Sequence, residues 1–517
     1  MEISKILLEI KSSIVEKIDI DLVDEVKYEL EECFHGLSMG LDKNSSREIV
    51  EWLTRIDHMI SELIGYDFSE NIFRDISSII SKEKARLTKI KLDSNNIFFV
   101  WIGKISVRSL KHILVWKKAN PNYQITLWFD SSCLLAGSYR NYLNNYYANS
   151  DQNSADLIEI QNRIYRSLVV DIKNGYTFDD AIVKFFSKED PDIAKKFIAE
   201  QSQIRLLYHR IGSFLQIMDV REHLSDIMDD ECAFLYIREI ALRANLACAS
   251  DILRLNILYK LGGIYIDCDT LPNTNHIYLE INRFCETKGI HSVDLEVLKS
   301  ELYFQKIIPF LDDVGFSEEN RESEEIIDKE IDTIIRRSRS IYGDIVDTII
   351  SASDSITAAE AFRPLDDIYI YKDLLLVTAD NVHRYDINNN VMIAHPRSKF
   401  VGIIISEMKR RYRYLEKMNA IGIDNASPLV SNESYYARLL NYRLDTLDGN
   451  ANTTIILTGP GLILELLLGI GFTLFRFEDR ISPISFSKSL YSSVFGIGFS
   501  DQSSHTLDHT KSTWMDR

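Results

Sequence analysis

Residues 249–272 read ASDILRLNILYKLGGIYIDCDTLP. Ile252, Leu255 and Leu258 recur at helical spacing and give one apolar face. Gly262 and Gly263 follow, where a helix is expected to stop. The apolar run Ile264 to Ile266 then reads as a buried strand and leads directly into Asp267, Cys268 and Asp269. In an extended chain residues i and i+2 project to the same side, so this spacing predicts that the two carboxylates converge while Cys268 faces away. Two such carboxylates repel unless a cation lies between them. Their hard oxygen donors suit Mg²⁺ or Mn²⁺. An isolated Asp-x-Asp is usually a surface loop. Here it closes a helix, a glycine pair and an apolar strand, and strand ends are where open α/β sheets hold ligands. A divalent ion there would neutralise the charge that builds on a diphosphate leaving group.

Upstream, Ile97 to Ile102 (IFFVWI) is a continuous apolar run followed by glycine, the signature of a buried strand. A helix is expected over 109–119, ending near Asn120-Pro121, and a second strand over Gln124 to Phe129 (QITLWF). Strand, helix, strand at this spacing predicts a parallel α/β sheet. Residues from about 138 to 241 are polar, Tyr-rich and helical in pattern with low strand content, and are expected to form a helical insertion. A second charged helical insertion is expected near 315–360. Strands follow at 368–371, 374–377 and 391–394, then a helix over 401–418. Before the first strand, residues 1–92 show four amphipathic helical segments, which predict a small N-terminal bundle; 93–517 would be the catalytic unit. The apolar stretch 455–475 carries Gly459, Pro460, Gly461, Glu465, Gly469 and Gly471. A spanning helix hardly carries all of these, so a buried strand, a Gly-Pro-Gly turn and a short buried helix are expected.

Bulk composition bounds the function. In 517 residues, 59 Lys and Arg against 77 Asp and Glu leave a net charge of −18, which does not suit a sequence-independent nucleic-acid binder. Two basic clusters, one at Lys82, Lys84, Arg86, Lys89 and Lys91 and one at Lys409, Arg410, Arg411 and Arg413, read as solvated helix faces. Cys33, Cys133, Cys232, Cys248, Cys268 and Cys285 form no CxxC pair, so neither a disulfide framework nor a zinc site is expected. The acidic start MEISKILLEI is not a secretory signal.

Four blocks in order carry a family resemblance: FVWIG at 99–103, SDILR through DCDTLP at 250–272, the asparagines 388–390, and Ser512-Thr513-Trp514. With them the chain resembles the catalytic domain of the large clostridial glucosylating toxins and related bacterial effectors. The resemblance implies an α/β GT-A (Rossmann-like) nucleotide-sugar transferase core with helical insertions and an N-terminal helical bundle. It implies a retaining enzyme that moves sugar from a UDP-sugar to a host protein hydroxyl, typically of a Rho- or Ras-type small GTPase, with Mn²⁺ or Mg²⁺. Carried over by position, Trp101 would stack on uracil with Val100 beside it. Asp251 and Asn389 would touch the sugar, Arg254 the sugar and diphosphate, and Tyr265 the phosphates. Asp267 would hold the ribose and the metal shell, and Asp269 the metal itself. Ser512 and Trp514 would sit on a loop closing over the donor, with Ser512 near the metal. A glutamate that assists the metal in the toxins falls at His509 here, four residues after His505; a histidine can also bind Mn²⁺. The resemblance further implies a secreted or injected protein acting in the host cytosol, with residues 1–92 docking on a membrane surface. The chain ends three residues after Trp514, so it reads as an excised catalytic domain or a stand-alone effector.

Physical readings of the same residues stand beside these roles. A Trp one step past a buried strand can offer a flat face to a base, or pack in the core. Asp251 and Arg254, three apart on a helix, are neighbours and could be an ordinary salt bridge. Tyr265 could equally be core. The donor is expected to be UDP-N-acetylglucosamine ahead of UDP-glucose, because Asn388 and Asn390 flank Asn389 and can hydrogen-bond an acetamide. Two other readings remain open: a transferase with a glycan or another protein acceptor, and a sugar-nucleotide-binding module without transfer.

Overall fold

The computed structural model describes residues 24–43, 89–150, 152–290, 292–311, 321–371, 375–380, 386–422, 437–447 and 450–475, with 12, 52, 55, 56 and 373 besides. Eight strands lie among them: β1 (Lys89–Lys91), β2 (Asn96–Trp101), β3 (Gln124–Phe129), β4 (Gln216–Asp219), β5 (Gly263–Ile266), β6 (Tyr369–Tyr371), β7 (Leu376–Asp380) and β8 (Asp386–Ala394). Six of them form one sheet in the order β4-β3-β2-β5-β8-β7. β4, β3, β2 and β5 run parallel, and β8 and β7 add antiparallel to the β5 edge. β1 and β6 form a separate antiparallel pair.

Helix α1 (Asp24–Asp42) precedes the sheet. α2 (Val107–Ala119) crosses from β2 to β3, opened by Ser106, whose side chain accepts from the Ser109 N–H. The first insertion holds α3 (Ala136–Asn149), α4 (Ser154–Lys173), α5 (Phe178–Glu189), α6 (Pro191–Ile211), α7 (Val220–Ile227) and α8 (Asp230–Arg243), with β4 between α6 and α7. α9 (Leu246–Leu261) leads into β5. A second helical unit follows: α10 (Asn275–Lys288), α11 (Val293–Ile307), α12 (Arg321–Asp354) and α13 (Ala358–Ala361). The chain then adds α14 (Lys399–Lys417), α15 (Asn452–Leu457) and α16 (Pro460–Phe475).

Strand alternation sorts side chains to two cores. Phe98, Val100, Trp128, Tyr265, Met392 and Ala394 face a large cluster with α3–α5, α8, α9 and α14. Ile97, Phe99, Ile125, Leu127, Ile264, Ile266 and Ile393 face the other side, against α2 and α6. A third cluster holds α10 to α12 together, with Leu298, Tyr303, Phe304, Ile331 and Ile349 buried in it.

Several expectations need correction. α9 is buried on nearly every face from Cys248 to Leu258, so it is a central helix with no solvent stripe. β4 was not expected; four residues with only partial burial at a sheet edge carry little pattern. Residues 455–457, where the apolar stretch was expected to begin as a strand, belong to a helix over 452–457. The strand at 89–91 falls inside the stretch assigned to the N-terminal bundle, and most of that stretch lies outside the described residues. Arg411 is buried, held by Glu407 and Glu465, so the second basic cluster is not simply a solvated face. Among the described residues no helix is long and apolar enough to cross a membrane.

Candidate active site

The site is assembled where β2 and β5 end side by side. Pairing of Ile97 with Ile264 and Phe98 with Tyr265 puts the C-terminal ends of the two parallel strands together. Gly262 and Gly263 make the junction possible. Both have positive φ (65° and 105°), and a Cβ on Gly263 would sit 2.7 Å from the Asn96 carbonyl oxygen of β2. Only glycine lets the backbones approach this closely.

β5 ends at Ile266, and Asp267 to Thr270 form a turn in which the Thr270 N–H reaches the Asp267 carbonyl at 3.1 Å. The extended geometry that would align the two carboxylates is therefore absent. Asp267 turns back on the protein instead: Arg254 Nη1 donates to its Oδ1 at 2.8 Å, and the Tyr265 hydroxyl donates to the same oxygen. Arg254 Nη1 also reaches the Tyr265 oxygen at 3.0 Å, with its guanidinium 4.9 Å from the Tyr265 ring centre. Asp267 is thus ion-paired, not one of two bare carboxylates.

Arg254 joins Asp267 to Asp251. Its Nη2 donates to Asp251 Oδ1, and Asn389 Nδ2 approaches that oxygen at 3.4 Å. Burial disfavours the charge on Arg254, but Tyr265 and Asp267 outweigh it and its pKa is raised. Burial pushes the Tyr265 phenol well above its usual value, which keeps it a donor. Val100 is buried in β2, and its carbonyl lies 3.7 Å from the Cys268 thiol. Trp101 is half-buried at the end of β2, packed against the cluster beneath the sheet. Its indole Nε1 is buried with no hydrogen-bond partner among the described residues.

Asp251, Arg254, Tyr265, Asp267 and Asn389 are thereby brought into contact, with Val100 and Trp101 at the adjoining strand end. Asp269 is half-buried on the same turn as Asp267. Asn390 points elsewhere: its Nδ2 is 3.3 Å from Thr270 Oγ1, in a stretch where the β7–β8 register shifts. Ser512, Trp514, His505 and His509 lie outside the described residues, as does the side chain of Asn388. The metal reading therefore rests on the donor set. Two carboxylates on one turn are hard ligands that fit Mn²⁺ or Mg²⁺. Among the described residues no group of three His, Cys, Asp or Glu side chains gathers as a complete cage.

Residues not singled out in the sequence support the site from behind. His112, on α2, places Nδ1 3.2 Å from the Cys268 carbonyl, and Trp116 Nε1 donates to the Thr270 carbonyl at 2.8 Å. Burial, then Arg108, holds the His112 pKa well below its usual value, so the neutral ring can donate through Nδ1. Thr458 donates to Asp251 Oδ2 at 2.7 Å. The helical spacing of His112 and Trp116 is visible in the sequence; that both reach the acidic turn is not.

The Rossmann-like sheet, with its acidic turn at the end of a parallel strand, defines the GT-A class of fold. The sequence model of the TcdA/TcdB catalytic glycosyltransferase domain matches residues 95–441, and the chain belongs to that family. Cytotoxin-L of Paraclostridium sordellii is 24% identical over 413 residues, which cover 71% of this chain and 16% of the relative. The chain thus spans only a small part of the length of the curated relatives it matches. The crystal structure of the catalytic domain of alpha-toxin from Clostridium novyi aligns with TM-score 0.66 and 19% identity, covering 98% of this chain and 97% of that one. The UDP-bound glycosyltransferase domain of the YGT toxin aligns with TM-score 0.54 and 17% identity, covering 81% and 82%.

Proposed function

We propose that the chain is a metal-dependent retaining glycosyltransferase that moves a sugar from a UDP-sugar to a hydroxyl of a host protein, a Rho- or Ras-type small GTPase. The observation that carries this is the linked set Asp251–Arg254–Tyr265–Asp267 at the ends of β2 and β5, beside Trp101 and Asn389. A cation locked between two carboxylates, next to a half-buried indole, suits a ligand that is anionic in the middle and flat at one end. Trp101 stacks the base, with Val100 lining its side. Arg254 meets the diphosphate and sugar, Tyr265 holds Arg254 and Asp267 in register beneath the phosphates, and Asp251 and Asn389 hold sugar hydroxyls. Asp269 and Asp267 would hold Mn²⁺ or Mg²⁺, with His509 and Ser512 as further ligands and Trp514 on a loop over the donor. Bound there, the ion would neutralise charge on the departing UDP.

UDP-N-acetylglucosamine and UDP-glucose are the donors to compare. The preference for the former drew on Asn388 and Asn390 as flanks of Asn389. Asn390 is instead turned to Thr270, away from the place an acetamide would occupy beside Asn389. The proposed setting is the host cytosol after secretion or injection by a bacterium, with residues 1–92 as a membrane-docking unit. The test is to incubate host-cell lysate with each labelled UDP-sugar in Mn²⁺ and identify labelled proteins by mass spectrometry. A sugar on a small-GTPase hydroxyl is the expected result. Label found only on glycan, or none on any protein while UDP is released, would contradict the acceptor assignment.

A further inference from the structure

Asp251 is 4% exposed, and its two oxygens are held from different parts of the chain. Oδ1 faces Arg254 and Asn389. Oδ2 accepts from the hydroxyl of Thr458, 207 positions away in the sequence, at 2.7 Å. The other acceptors near that hydroxyl are farther and neutral: Cys248 Sγ at 3.3 Å and the Thr454 carbonyl at 3.4 Å. A hydroxyl donates most strongly to the charged acceptor, so its proton goes to Asp251.

Thr458 is itself fixed. It follows α15 directly, and its N–H and that of Gly459 both return to the Thr454 carbonyl at 3.1 Å. Gly459 and Gly461 pack tightly: a Cβ would lie 3.1 Å from Ile455 Cα and 3.0 Å from the Ile455 carbonyl oxygen, respectively, closer than ordinary contact. One turn earlier, Thr454 Oγ1 receives Asn245 Nδ2 at 2.8 Å, and Asn245 caps the start of α9. Asp445 accepts from the Thr453 and Thr454 N–H groups at 2.8 and 2.9 Å. Thr454 and Thr458, four apart, therefore grip α9 at Asn245 and Asp251. The lower grip fixes the helix; the upper one fixes the carboxylate plane.

We propose that Thr458 is a positioning residue for the donor sugar: its hydroxyl sets the rotation of the Asp251 carboxylate. This rests on the reading of the site given above. Asp251 addresses the sugar and not the nucleotide. Loss of the Thr458 hydroxyl should therefore separate sugar recognition from UDP recognition, which a general loss of packing would not do.

The experiment uses the full chain with Mn²⁺, comparing wild type, Thr458→Val and Thr458→Ser. Hydrolysis of the better-turned-over UDP-sugar and calorimetric binding of UDP and of the intact UDP-sugar are measured. Thr458→Val should lower kcat at least tenfold and weaken the UDP-sugar several-fold, with UDP affinity changed less than twofold. Thr458→Ser, which keeps the hydroxyl, should recover most of the lost kcat. The proposal is overturned if Val performs like the wild type, if UDP and UDP-sugar weaken equally, or if Ser is as impaired as Val. UDP release and UDP binding by the wild type report separately on the site reading itself.

Discussion

Asp179 lies fully buried, accepting from the Leu134 and Leu135 N–H groups at 3.2 and 2.9 Å and from Gln201 Nε2 at 3.0 Å. Burial outweighs these donors and pushes its carboxyl up to about 7. An unfolded aspartate titrates near about 4. Between these values the folded chain keeps a proton that the unfolded chain has released. Stability from this group is complete below the window and is lost as pH rises through it, by at most about 1.4 kcal/mol per pH unit. Thermal unfolding of the wild type should therefore weaken more steeply from about pH 5 to about pH 7 than that of Asp179→Asn; parallel curves would refute the assignment. Legibility at this scale followed distance along the chain. Asp251 and Arg254 could be paired on paper because residues three apart on a helix are neighbours on one face. Thr458 could not, because its partner comes 207 residues earlier, nor could Asn390, whose partner Thr270 lies 120 residues away. The turn at Asp267 was missed for a related reason. Arg254 and Tyr265 draw that carboxylate inward, and an isolated strand-end rule contains neither.

Elements with a strong local pattern were legible: β2 and β3 are apolar runs, and the glycines after α9 announced its end. The failures were elements whose conformation is imposed by partners. Residues 452–457 read NTTIIL, rich in β-branched residues that favour strands. They form a helix because Asp445 accepts the first N–H groups, as an N-cap residue would, and because Thr454 and Leu457 are buried. Such tertiary override of propensity leaves no trace in the local sequence. The β2–β5 junction supplies a sharp test of element packing. Gly263→Ala would force a positive φ on alanine and push its Cβ against the Asn96 carbonyl oxygen. A loss in chemical denaturation larger than the about 1–3 kcal/mol of one strained backbone position is expected, because the close approach adds to the strain. Gly289→Ala is the control, since its φ is also positive (64°) but a Cβ there meets nothing within 4 Å. Equal losses at both sites would show that strain alone, and not the strand approach, matters at Gly263.

Across the whole molecule, one sheet organises two functions of the fold. Its two faces carry separate cores, and its β2 and β5 ends gather side chains from α9, β5 and β8. The second helical unit packs against the end of the acidic turn through Leu271 and backs it through Phe304, stacked on His112 at 4.2 Å. This architecture also decides which carboxylate is the cleaner probe of catalysis. Asp267 neutralises a buried arginine, so replacing it would disturb both structure and chemistry. Asp269 is the better choice, and UDP release from a UDP-sugar without acceptor is the most direct readout. The wild type should release UDP in Mn²⁺ and lose that activity with EDTA, and Asp269→Asn should be slower by at least ~10²-fold, the scale of removing one preorganised charge-stabilising group. Full turnover by Asp269→Asn in Mn²⁺, or wild-type turnover that survives EDTA unchanged, would contradict the metal assignment.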